Sequence, residues 1–110
     1  MTRYNVPRTM AQSNSDPGLL ILASLAGGPR HGYAMIEDIE RFAGTRLGPG
    51  TLYGAITRLE QRGLIEAVET DDRRRPYRLT AAGSAALDAE VDALERVVRL
   101  ARSRMGEPAS

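Results

Sequence analysis

Three consecutive arginines, Arg73-Arg74-Arg75, follow the acids Asp71 and Asp72 and precede Pro76. A guanidinium is a planar fork of donors that matches phosphate oxygens. With Arg78 close behind, four of them gather at a polar turn that has no packing need for them. Phosphate or minor-groove contact is the natural use of such a cluster. A solvated turn with Asp71 and Asp72 as local partners is the plainer alternative. A second set of candidates lies in Gly48-Pro49-Gly50-Thr51-Leu52-Tyr53-Gly54-Ala55-Ile56-Thr57-Arg58-Leu59, where hydroxyls, an Arg and glycines alternate with apolar residues.

Chemistry of other kinds is scarce. Cysteine is absent, which excludes disulfides, thiolate catalysis and cysteine-type zinc sites, and His31 is the single histidine. No catalytic constellation, no metal site and no cofactor is expected. His31 reads as a structural residue at the start of a helix in preference to a direct contact residue.

The candidates need elements to position them. At about 100° per residue, Leu52, Ile56 and Leu59 form one stripe of a helix running from about Pro49 to Arg62, with Ala55 beside it. Nearly opposite lie Gly50, Gly54, Thr57 and Gln61, flanked by Thr51 and Arg58 on one side and Tyr53 on the other. A helix that enters the DNA major groove must be thin where it meets the duplex and must offer donors and acceptors to base edges and phosphates. Its N-terminus adds partial positive charge and free N–H groups. The alternative is that the glycines serve a tight turn and Tyr53 packs against the hairpin. Gly54 resists that explanation, since a glycine inside a helix costs about 1 kcal/mol relative to alanine.

Around this helix the chain reads as follows. Residues 1–15 are polar and aperiodic, a flexible arm. Ser15 or Asp16 caps a first helix, with Pro17 at its first position, running to about Leu25 and stopped by Gly27-Gly28-Pro29. A second helix from about His31 to Phe42 turns Met35, Ile36, Ile39, Phe42 and Ala43 inward and Glu37, Asp38 and Glu40 outward. Gly44 ends it, and Thr45-Arg46-Leu47 suits a very short extended segment. Gly63 closes the third helix. The segments after it, from Leu64 to Thr70 and from Arg75 to Leu79, form a β-hairpin with Tyr77 and Leu79 on one face, Arg78 on the other, and Pro76 marking an edge strand. Thr80 caps a long last helix that reaches about Arg104. The expected fold is mainly α with a small β-hairpin, in the order of a winged helix-turn-helix followed by a long C-terminal dimerisation helix.

Leu87, Val91, Leu94, Val98, Ala101 and Met105 recur at spacings of four and three along that last helix, a heptad seam that needs a partner. The chain's own first helix can cover part of it. Ala86, Ala93, Val97 and Leu100 add a second apolar strip, so one helix can touch both its own domain and a twin. Asp88, Glu90, Asp92 and Glu95 all precede Arg96, Arg99, Arg102 and Arg104, which suits the helix dipole, i,i+4 pairing and an antiparallel crossing about a two-fold axis.

The bulk composition narrows the class. At 110 residues the chain is one small domain near the lower limit for an adequate core, which makes a partner copy expected. With 42% apolar and 26% charged residues it is neither disordered nor membrane-spanning. A net charge of +1 decides nothing, but all 15 basic residues are Arg, and from Arg41 to Arg78 eight of them face five acids. Arg3 and Arg8 before the apolar run Leu19 to Ala26 loosely mimic a signal peptide. Asp16 and the polar residues beside it sit where a basic flank should be, and the run falls far short of a span of about 20 residues. A cytoplasmic location without membrane contact is expected.

His31-Gly32-Tyr33, Gly50-Thr51-Leu52-Tyr53, Arg58-Leu59-Glu60, Gly63-Leu64-Ile65 and Tyr77-Arg78-Leu79-Thr80-Ala81-Ala82-Gly83, in that order, resemble the PadR-type transcriptional regulators from about Leu19 to Val98. The single helix after the wing is similar to the shorter branch of that family. The resemblance implies a homodimeric repressor that binds a palindromic operator in double-stranded DNA and is released by a small effector. It assigns groove or phosphate contacts to Thr51, Tyr53 and Arg58, a phosphate contact to Tyr33, and the wing to Arg73, Arg74 and Arg75. Residues 16–80 would form the DNA-binding domain, 81–105 the dimerisation helix and 106–110 a tail. Some short members stack flat apolar effectors on aromatics of the last helix, and this last helix has no Phe, Tyr or Trp. A winged-helix module that binds protein instead of DNA is the competing function, and an enzyme is left little room.

Overall fold

The computed structural model of the chain describes residues 16–106. The arm expected over 1–15 and the tail residues 107–110 lie outside the described residues. Asp16 caps the first helix, α1 (Pro17–Leu25), its Oδ1 accepting from the Gly18 N–H at 3.0 Å with Pro17 at the first position. Leu20, Ile21, Leu22 and Leu25 are all buried, as an element apolar on every side requires, and α1 touches every other helix.

A two-residue strand follows, β1 (Arg30–His31), and then α2 (Gly32–Ala43). His31 caps α2 as its ring Nδ1 accepts from the Ala34 N–H at 3.2 Å. Met35, Ile36 and Ile39 are buried as their spacing predicts, whereas Phe42 is 51% exposed and Ala43 is exposed too, because the inward stripe ends at Ile39. Thr45 to Leu47 does not form a strand; Leu47 packs onto the core from an irregular connection. The third helix, α3 (Pro49–Gln61), turns Leu52, Ala55, Ile56 and Leu59 into that core, and Gly63 at φ 73° turns the chain away from it.

The hairpin strands are β2 (Ile65–Ala67) and β3 (Pro76–Leu79). With β1 they form a three-stranded antiparallel sheet in the order β1-β3-β2. Pro76 therefore sits in the central strand, not at an edge. It stands first in β3, where its carbonyl accepts from the Val68 N–H at 2.9 Å and a missing donor is tolerated. Arg78 departs from expectation as well. It opposes Glu66 in the register and donates from Nε to Oε2 at 2.8 Å, so it joins the two strands away from the tip.

The last helix, α4 (Ala81–Arg104), starts at a close crossing. Thr80 Oγ1 accepts from the Gly83 N–H at 3.0 Å and donates to the Gly63 carbonyl at 2.6 Å. Gly83 is buried against the Leu64 carbonyl, and a Cβ there would overlap backbone. Ala86 and Leu87 pack on the core, after which α4 leaves the domain. The radius of gyration of 16.1 Å records that projection, against about 13 Å for a compact domain of about 100 residues.

Candidate nucleic-acid interface

Three separate segments meet on one side of the sheet. Gly32 and Tyr33 open α2, Tyr53 rises from the second turn of α3, and Arg73, Arg74 and Arg75 form the loop between β2 and β3. With His31 and Tyr77 they surround a cleft of about 360 Å³. Tyr33 and Tyr53 are each about half exposed, at 56% and 50%. The seat of Tyr53 is Gly32, since a methyl on Gly32 would strike the Tyr53 hydroxyl and ring. Tyr53 is thus seated on the start of α2 and half exposed at once, whereas the packing alternative in the sequence places it against the hairpin.

On α3 the outward set stands as the period predicts. Gly50, Thr51, Thr57 and Arg58 are exposed and Gly54 is half-buried. Apart from its chain neighbours and the adjoining backbone of α3, no atom among the described residues lies within 4 Å of a Cβ built at Gly50, so tertiary packing does not account for its small size. The Arg58 guanidinium folds back along the helix to 3.5 Å from the Cβ position of Gly54, an ordinary contact that a methyl would keep, so packing does not require glycine there either. Thr57 is narrower in its chemistry than its hydroxyl suggests. Its Oγ1 donates to the Tyr53 carbonyl at 2.9 Å, so that proton is committed and the group faces outward as an acceptor.

The wing loop is built by short hydrogen bonds. Thr70 Oγ1 accepts from the Asp72 N–H at 3.1 Å and Asp72 Oδ1 from the Arg74 N–H at 3.0 Å. The Arg74 backbone N–H, above all, holds the Asp72 carboxyl below its ordinary range. Asp72 also lies 3.6 Å from Arg74 Nη2, whereas Arg73 and Arg75 make no ion pair within 4.0 Å among the described residues. Of the acids expected to neutralise the turn, Asp72 serves Arg74 and shapes the backbone. His31, as the cap of α2, takes the structural role expected of it.

Arg46 was not among the sequence candidates. It is 2.8 Å from Glu40, which first, with Tyr33 next, raises its guanidinium above the ordinary arginine value. An arginine in the connection before the polar-faced helix was the available signal. On α4, Leu87 is half-buried against its own domain, while Val91, Leu94, Val98, Ala101 and Met105 are exposed along the seam.

Three helices with a thin polar face on the third, and a small sheet carrying a basic loop beside that face, define a winged helix-turn-helix fold. The chain belongs to the PadR-like family of transcriptional regulators, whose description matches residues 21–89. Over 84 residues it is 42% identical to the transcriptional regulator Rv3488 of Mycobacterium tuberculosis, across 74% of this chain and 78% of that one. Over 83 residues it is 46% identical to an uncharacterized 37.1 kDa protein in transposon TN4556 from Streptomyces fradiae, across 76% of this chain and only 24% of that one. A solved transcriptional regulator from Clostridium thermocellum shares the fold with a TM-score of 0.72 at 22% identity, across 90% of this chain and 97% of that one. Among the described residues no helix is long and apolar enough to cross a membrane.

Proposed function

We propose that the chain acts in the cytoplasm as a homodimeric repressor of a palindromic operator, and that a small effector releases it. The observation that carries DNA readout is the meeting of Tyr33, Tyr53 and Arg73 to Arg75 around one cleft beside the exposed face of α3. In this reading Thr51 and Arg58 contact bases or phosphates in the major groove. Gly50 and Gly54 let the helix approach, and Thr57 accepts from a base or water. Tyr33, Tyr53 and the wing arginines hold phosphates and set the register. Residues 16–80 read the DNA and 81–105 pair the copies. Val91, Leu94, Val98, Ala101 and Met105 supply the contact surface, and Leu87 links it to the domain. Two copies place two recognition helices about 34 Å apart, one duplex turn, as a palindrome requires. Repression and effector release rest on the resemblance to PadR-type regulators.

Selection of bound sites from random duplex DNA, followed by filter binding at two salt concentrations, tests the reading. It predicts an inverted-repeat consensus and affinity that falls steeply with salt. Weak binding without a consensus would favour a winged-helix module for a protein partner.

A further inference from the structure

The period of α2 turns Asp38 outward with Glu37 and Glu40, yet its side chain is only 18% exposed and three groups converge on it. Ser24 Oγ, from α1, donates to Asp38 Oδ2 at 2.7 Å. Arg41 Nη2 donates to Oδ1 at 3.3 Å. Arg30, from β1, brings its Nε to 3.6 Å from Oδ2 while donating to the Ser24 carbonyl at 3.2 Å. Ser24 is 2% exposed, so its hydroxyl requires an acceptor, and Asp38 is that acceptor. The Ser24 hydroxyl, ahead of Arg30 and Arg41, holds the carboxylate below its ordinary range against partial burial, which raises it.

What this cluster grips is the weakest part of the sheet. β1 is two residues long and pairs with β3 only at Arg30 with Tyr77 and His31 with Pro76. So short a strand cannot hold its own place. β3 leads directly out of the arginine loop, and both His31 and Tyr77 line the cleft. We infer that Asp38 is a positioning residue for the wing: through Ser24 and Arg30 it fixes β1 against α1 and α2, and so sets where Arg73, Arg74 and Arg75 stand relative to α3. The inference rests on the proposed contact of those arginines with phosphate.

A two-background experiment tests it. Asp38→Ala and Asp38→Asn are made in the wild-type chain and in a chain carrying Arg73→Ala, Arg74→Ala and Arg75→Ala, and affinity for the selected duplex is measured with melting temperature. Asn still accepts from Ser24 but loses its charge, so it keeps the test open if the alanine variant does not fold. Positioning predicts that Asp38→Ala weakens binding about tenfold with the intact wing and less than about twofold without it, with Asp38→Asn in between. Arg41→Ala, on an exposed side chain, leaves binding within about twofold. Amide exchange in the Asp38→Asn protein quickens at Arg30, His31 and Tyr77 and is unchanged in α3. Equal losses in both backgrounds, or exchange that quickens everywhere, would make Asp38 a general stabiliser and overturn the inference. A triple wing variant that binds as tightly as wild type would instead overturn the phosphate reading, and the inference with it, whatever the exchange pattern shows.

Discussion

Adding one methyl at Gly32 separates the recognition surface from the fold. The Cβ of Gly32→Ala would meet Tyr53 Cζ at 2.8 Å and Cε1 at 3.1 Å, so ring and methyl cannot both stay. The tyrosine is the far end of a half-exposed side chain and can rotate into solvent, which keeps the folding cost near the low end of the ~1–3 kcal/mol of an overpacked site. Gly83→Ala adds the same methyl where the obstacle is the Leu64 backbone, which cannot swing away. Its cost belongs at the top of that range or above it. Thermal melting of both variants beside duplex binding should show Gly32→Ala nearly as stable as wild type but binding about tenfold more weakly, the loss of about one good contact. Gly83→Ala should melt far lower. The same Gly32→Ala change in a Tyr53→Ala chain should have little further effect on binding. If it weakens binding equally there, Gly32 acts through the N-terminus of α2, and the account of Tyr53 as seated on Gly32 is wrong.

Other perturbations read other parts of the molecule. Leu94 is 48% exposed, and burying that half of a leucine contributes about 1 kcal/mol per chain, so Leu94→Arg should yield a monomer that keeps salt-sensitive, non-specific DNA binding; sedimentation showing a monomeric wild type at micromolar concentration, or a dimeric variant, would contradict the seam. Replacing Arg73, Arg74 and Arg75 by alanine should weaken binding to every sequence, each lost phosphate contact reducing the log-log salt slope by about 0.9, and an unchanged slope would make the loop a solvated turn. The pKa of Asp38 is lowered from 3.8, so its contribution to stability is present above that value and is lost as pH falls through the folded value. Acid titration of the melting temperature below about pH 5 should therefore be shallower in Asp38→Asn than in wild type.

Local chemistry explains why much of the fold could be read in advance. An acid followed by proline starts α1, a glycine with positive φ closes α3, and a threonine caps α4; each signal lies within a few residues of what it controls. The misreadings share the opposite property. Arg30-His31 has too few residues to show alternation and is a strand only because β3 passes beside it. Pro76 is central for the same reason, and Arg78 leaves the wing because the register sets it across from Glu66. Asp38 obeys the helical period in direction, but α1 and β1 come to meet it. In the candidate site, residue types and the exposed face of α3 were legible. The convergence of Tyr33, Tyr53 and the arginine loop was not, since it depends on three segments whose separation only the tertiary fold closes.

The chain uses arginine for every positive charge, and the structure separates those cations by partner. Arg30 holds Asp38, Arg46 holds Glu40 and Arg78 holds Glu66, each within 4.0 Å and each between two segments of the fold, while Arg41 meets Asp38 within α2 and Arg74 meets Asp72 within the wing loop. Arg58, Arg73 and Arg75 have no ion pair among the described residues, and all three stand on the face assigned to DNA. Like charges on one face repel in the free protein, and a phosphate backbone relieves that repulsion as it binds. Of the acids near these arginines, Glu66 is already occupied by Arg78, and Asp72 by the side chain and backbone N–H of Arg74. Side chains of one type therefore have different work, and they should respond differently: substitution of Arg30, Arg46 or Arg78 lowers the melting temperature, and substitution of Arg58, Arg73 or Arg75 lowers the salt dependence of binding.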